Sequence, residues 1–176
     1  MFRPEPQGGR RCFLQATPLQ FDVLPDSPLN LARIRSLAYI VLVLLMLVIH
    51  TDGACFGNPG PMGIGVAAYK SGKPVKEMSE YLGKGTNNIA EYTAVIRALE
   101  FAKSERETEV EIRSDSQLIV RQLSGHYKVK SPHLKELKRK IDSLSQGMKI
   151  KYKWIPREEN SVADGLSKKA VEGAPP

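Results

Sequence analysis

The chain has 176 residues, 41% of them apolar and 26% charged, and a formal net charge of +7. That length supports one sizeable core, and the composition excludes a wholly disordered chain. Two cysteines, Cys12 and Cys55, exclude a disulfide framework and a cysteine zinc site and fit a reducing, cytoplasmic setting, while the basic excess favours nucleic acid or an anionic membrane surface as partner.

Residues 1–45 read differently from the rest. "MFRPEPQGGRR" is rich in Pro, Gly and Arg without an apolar period, the composition of a disordered segment. "LPDSPLNLARIRS" has room for a turn or two of helix. From Leu37 to Ile49 thirteen apolar residues follow one another, fewer than the eighteen or so of a membrane span. Three readings stand open here: a disordered tail with a short added element, a membrane anchor, and an over-extended start upstream of a natural Met46. A signal peptide is disfavoured because no small-residue cleavage site follows the apolar core. The expected division is an atypical extension, 1–45, and a folded domain, 46–176. The domain holds 21 Lys and Arg against 16 Asp and Glu, so the basic excess belongs mainly to it.

"MLVIHTDGA" predicts a strand buried on both faces, because its apolar run is continuous. "GNPGPMG" is a turn, "IGVAAYK" a second strand, "SGKP" a hairpin turn and "VKEMSEYLG" a third strand. Short turns make these three antiparallel neighbours. Asn87 or Asn88 can cap a helix whose Ile89, Tyr92, Val95, Ile96, Leu99 and Ala102 recur at spacings of three and four. "EVEIRSD" is a short strand ending at Asp115. "SQLIVRQLSG" is a short helix stopped by Gly125, and "PHLKELKRKIDSLSQG" a helix stopped by Gly147. "MKIKYKWIP" alternates, with Ile150, Tyr152 and Trp154 on the face expected to be core. A last helix starts near Asn160 or Ser161. The order implies an α/β fold with a five-stranded mixed sheet, three antiparallel strands and then parallel ones, flanked by helices.

Four carboxylates fall at element ends: Asp52 and Asp115 at strand ends, Glu91 and Asp164 in the first turns of helices. In an α/β sheet such ends share one edge. Each acid alone is more often a cap or a surface charge. Together they would repel one another unless a cation sat between them, and oxygen ligands without His or Cys suit Mg²⁺ or Mn²⁺. Two ions about 3.5–4 Å apart would form the clamp used for in-line phosphodiester displacement.

The flanks carry more. "TDGACFGNPGPMGIG", "GTNNIAEYTAVIRALE", "IRSDSQLIV" and "WIPREENSVADGLSKKA" resemble, in order and spacing, the four motifs of type 1 ribonuclease H. The resemblance covers roughly Met46 to Val171. It is strongest to compact archaeal-type and some bacterial members, which lack an inserted basic helix used as a substrate handle. It implies the ribonuclease H-like fold and an endonuclease that cuts the RNA strand of an RNA/DNA hybrid, leaving 5′-phosphate and 3′-hydroxyl ends. It also implies Mg²⁺ or Mn²⁺, two ions with substrate bound, held by Asp52, Glu91, Asp115 and Asp164. Asn58, Thr86, Asn87, Asn88 and Gln117 match substrate-contacting positions, Asn58 and Thr86 at a pocket for a DNA-strand phosphate. Cys55 stands in the same loop, where packing or close backbone approach is expected. Many members place a histidine before the last carboxylate. Here Arg157 stands there, as in archaeal-type members, either to hold the scissile phosphate or expel product, or as a surface arginine paired with Glu158 or Glu159. Being always protonated, it is no general base. His50, His126 and His133 match no catalytic position.

Without a handle, Lys128 and Lys130, with Lys135, Lys138, Arg139 and Lys140 on the next helix, are the phosphate-contact candidates. A monomer without obligate protein partner is expected. Two alternatives stay open: a same-fold nuclease that also cuts double-stranded RNA, and a hybrid-binding module without catalysis.

Overall fold

The structure, a computed structural model, describes residues 46–174. The readings of residues 1–45, and of all but the last residues of the apolar run, lie outside the described residues. Among the described residues no helix is long and apolar enough to cross a membrane.

Strands β1 (Leu47–Cys55), β2 (Gly60–Lys70) and β3 (Lys73–Gly85) are followed by helix α1 (Asn87–Ser104) and strand β4 (Glu109–Ser114). Helices α2 (Gln117–Leu123) and α3 (Pro132–Leu144), strand β5 (Lys149–Trp154), a 3₁₀ turn (Arg157–Asn160) and helix α4 (Ser161–Glu172) complete the order. The sheet runs β3-β2-β1-β4-β5. β1–β2 and β2–β3 pair antiparallel, β1–β4 and β4–β5 parallel. This is the mixed five-stranded sheet that the element order implies.

Successive strand residues point to opposite faces, and β1 uses both. Leu47, Ile49, Ile64, Val66, Val110 and Ile112 form the core beneath α1, which buries Tyr92, Val95, Ile96 and Leu99 against them. α1 is buried over most of its circumference, Ala90, Ala94 and Ala98 included, because α3 packs on its far side through Leu134 and Ile141. On the other face α4 lies over β2 and β1. Glycines set that distance: a Cβ on Gly65 would stand 2.0 Å from the Ala163 carbonyl oxygen, and one on Gly63 2.6 Å from Ala170 Cβ.

Three local expectations are corrected. β1 is not buried on both faces throughout: Val48 and His50 are half-buried, beside Tyr69 and Arg113 in a hollow whose lining includes no residue of α4. Thr86 caps α1, its Oγ1 accepting from Ile89 N at 3.4 Å, so Asn87 and Asn88 become the first two helical residues. Trp154 is not core but 44% exposed, because β5 is an edge strand and the indole turns to donate from Nε1 to the Asp115 carbonyl at 3.0 Å.

Candidate active site

Asp52 does not end β1. It is the sixth of the strand's nine residues, but the parallel pairing with β4 stops at His50, so Asp52 stands where the sheet opens. Asp115 follows the last residue of β4 at the same edge. Asp52 faces α4, hence the next residue, Gly53, faces α1. A Cβ there would lie 2.3 Å from Glu91 N, so only glycine lets β1 bring Asp52 this close to α1. Glu91 is the fifth residue of α1 and stands just past its first turn, not in it as expected, because Thr86 and not an asparagine is the cap. Gly65, paired opposite Asp52, performs the same service for α4 and Asp164.

The result is one open pocket of about 370 Å³. Its lining joins the four carboxylates, Arg157, Asn87 and Cys55 with Ser116 and Lys168. Asp52 and Glu91 are buried. Burial, with the charges of Asp52 and Asp115 adding to it, pushes the Glu91 carboxyl up to about 8; hydrogen bonds from Asn87 (Nδ2 to Oε1, 3.3 Å) and Ser116 only partly oppose this. Burial also raises Asp52, against a hydrogen bond from Ser167, with Asp115 and Asp164 adding repulsion. Asp164 behaves oppositely. Its partial burial is outweighed by Lys168 (Nζ to Oδ2, 2.6 Å) and Arg157, which hold it below the usual carboxylate range. Arg157 thus pairs with Asp164 and not with Glu158 or Glu159, which are exposed beside it.

Other expected residues lie outside this lining. Asn58 is in the exposed β1–β2 turn, Asn88 and Gln117 are exposed at the starts of α1 and α2, and Thr86 serves as a cap. Lys128 and Lys130 are exposed and share one groove beside Tyr127. Cys55 Sγ–H is held by backbone carbonyls, Gly57 at 2.7 Å and Gly85 at 3.3 Å. His50 packs edge-on against Tyr69, ring centres 5.3 Å apart, and burial with nearby Arg113 lowers its pKa. Sequence reasoning did not single out Ser167, Lys168 or Asn160 as site residues. Lys168 had a signal, four residues after Asp164 on one helix. Ser167 and Asn160 had none, since only the packing of α4 on β1 brings them to the carboxylates.

The reverse transcriptase-like family matches residues 50–170. A ribonuclease H of Thiobacillus denitrificans is 36% identical over 141 residues, covering 72% of this chain and 93% of that one. The chain belongs to the type 1 ribonuclease H family. The bifunctional protein Rv2228c of Mycobacterium tuberculosis is 38% identical over 133 residues, 74% of this chain, and the chain spans 36% of its length. The crystal structure of LC11-RNase H1 in complex with RNA/DNA hybrid superposes with a TM-score of 0.69 at 45% identity, covering 72% of this chain and 96% of that chain. Both the ribonuclease H fold and the family resemblance read from the four motifs are thereby established.

Among the described residues no three His, Cys, Asp or Glu side chains are drawn together tightly enough to form a ready-made ion cage. Asp164 is engaged by two cations. The donor chemistry nevertheless fits a hard divalent ion: the four acids offer carboxylate oxygens, and both the burial that raises Glu91 and the repulsion from Asp52 and Asp115 that adds to it are what such an ion would offset.

Proposed function

We propose that this chain is an endonuclease that hydrolyses the RNA strand of RNA/DNA hybrids, using Mg²⁺ or Mn²⁺, two ions when substrate is bound. The observation that carries this is the convergence of Asp52, Glu91, Asp115 and Asp164, from four elements, on one pocket in a ribonuclease H fold. Bound there, the cations supply polarisation of the scissile phosphate and a lowered pKa for the attacking water.

The chain's own residues do the rest. Asp52, Glu91, Asp115 and Asp164 would hold the cations. Glu91 must give up its proton to do so, since its carboxyl is pushed to about 8. Water adds to phosphorus, the P–O3′ bond breaks, and the proton lost by water balances the one gained by the 3′-oxygen, leaving 5′-phosphate and 3′-hydroxyl ends. Arg157, with 66% of its side chain exposed, lies beside Asp164 and supplies positive charge to the phosphate without acting as base. Asn87, at the pocket, and Asn88 and Gln117, at neighbouring helix starts, offer amides that both donate to and accept from a ribose 2′-hydroxyl, the group that marks RNA. Asn58 and Thr86 would take a DNA-strand phosphate, and Lys128 and Lys130 would extend the phosphate track.

Cleavage of an end-labelled hybrid with and without each metal, beside Asp115→Asn, is the test. Metal-dependent cutting of the RNA strand that disappears in a folded Asp115→Asn variant is expected. A folded, hybrid-binding protein that cuts nothing would leave a binding module; equal cutting of double-stranded RNA would widen the substrate class.

A further inference from the structure

Two side chains at and within α4 are completely buried, at 0% exposure, and touch the carboxylates from behind. Ser167 Oγ–H reaches Asp52 Oδ2; its alternative acceptor is the Asp164 carbonyl at 2.9 Å, and its single proton serves one at a time. Asn160 Nδ2 donates to Asp115 Oδ1 at 2.9 Å and to the Thr51 carbonyl at 3.1 Å. Thr51 is the residue before Asp52. One amide therefore ties the end of β4 to β1 beside both acids.

The orientation of the Asn160 amide is fixed from both sides. Its Oδ1 has no hydrogen-bond partner of ordinary geometry among the described residues but lies beside the His50 ring. Flipping the amide would turn Oδ1 onto two acceptors, Asp115 Oδ1 and Thr51 O. Both amide protons are thus committed to Asp115 and to the backbone beside Asp52.

The donors are neutral, unlike the cations on Asp164. A neutral donor fixes a carboxylate's orientation without cancelling its charge, and each acid keeps a second oxygen for another partner. We infer that Asn160 and Ser167 are positioning residues, which orient Asp115 and Asp52 for a divalent cation and do not themselves touch substrate. The inference rests on the metal-dependent reading above. Groups that orient metal ligands typically carry 10–100-fold of metal affinity.

The test is calorimetric titration of Mn²⁺ into the full chain, with thermal melting of the same samples in chelator. Ser167→Ala deletes one oxygen, and Asn160→Leu replaces the amide by an apolar side chain of the same branching. Both are expected to weaken Mn²⁺ binding by about 10-fold or more. Asn160→Leu also takes the donor from the Thr51 carbonyl and is expected to melt lower in chelator, so the Mn²⁺ affinity of the folded chain is the readout that a purely structural asparagine would not move. Affinities within twofold of the parent overturn the inference, as does an Asn160→Leu chain that melts lower with its Mn²⁺ affinity unchanged. If Asn160→Leu does not fold, Ser167→Ala decides alone, affinity loss supporting and parental affinity overturning. No binding by the parent chain overturns the metal reading itself, which is distinguishable from failure in the variants only.

Discussion

Asp52 and Glu91, on β1 and α1, share a pocket with Asp164, on α4, yet the two regions manage negative charge in opposite ways. The first pair is buried and, among the described residues, hydrogen-bonded by the neutral Ser167, Asn87 and Ser116, so burial pushes both carboxyls upward, with the more distant Arg157 charge opposing at Asp52. Around Asp164 the pocket is open, and Lys168 and Arg157 pull the carboxyl downward. Among the described residues the buried wall therefore has no ion-paired cation, while the open wall has two on one carboxylate. A divalent cation completes the first and must compete with the second.

Removing a charge from the buried wall should have the largest effect. Asp52→Asn is expected to cut hydrolysis by about 10³-fold or more, measured as single-turnover cleavage with saturating Mg²⁺, while circular dichroism stays native. Residual cleavage near the parent rate would mean the buried wall is not where the reaction is held. Arg157→Ala takes charge from the open wall and should slow turnover by about 10²-fold, with hybrid affinity in Ca²⁺ nearly unchanged; an unaltered rate would reduce Arg157 to a surface partner of Asp164.

Glu91 makes the contrast visible as a pH effect. Its folded pKa, about 8, lies above the ordinary 4.5, so the folded state binds this proton more tightly than the unfolded chain. Its favourable contribution is complete below about 4.5 and is lost as pH rises toward 8. In chelator, Glu91→Gln should then melt close to the parent at pH 5 and at least about 5 °C above it at pH 8.5; melting curves that shift equally at both values would contradict the burial argument. The mildest change is Lys168→Gln. It removes a competitor on the open wall and should lower the Mn²⁺ concentration for half-maximal binding roughly fivefold, and a rise instead would make Lys168 a helper of the site.

The four carboxylates were legible because each is an acid at the end of a periodic segment, and their flanks repeat a family's motifs. The sheet was legible because short Gly- and Pro-rich turns force antiparallel neighbours and helices force parallel ones. What escaped depends on distances between elements. Trp154 alternates as a core residue would, but nothing in "KYKW" says that β5 is an edge. Thr86 and Asn87 are equally good caps until the first helical turn is placed. Ser167 and Asn160 look like a helix-interior serine and an ordinary cap. Their meaning comes from Gly63 and Gly65, whose missing side chains let α4 settle on β2.

α4 is the last described element, and it brings Asp164 and Ser167, with Asn160 at its cap, to acids made much earlier. A ribosome adding about 5–20 residues per second finishes β1, α1 and β4 several seconds before Ser167 is added. Until then Asp52 and Asp115 lack their buried donors and Asp164 is absent. On the proposed reading, hybrid cutting would then become possible only once α4 has been added and has packed on the sheet.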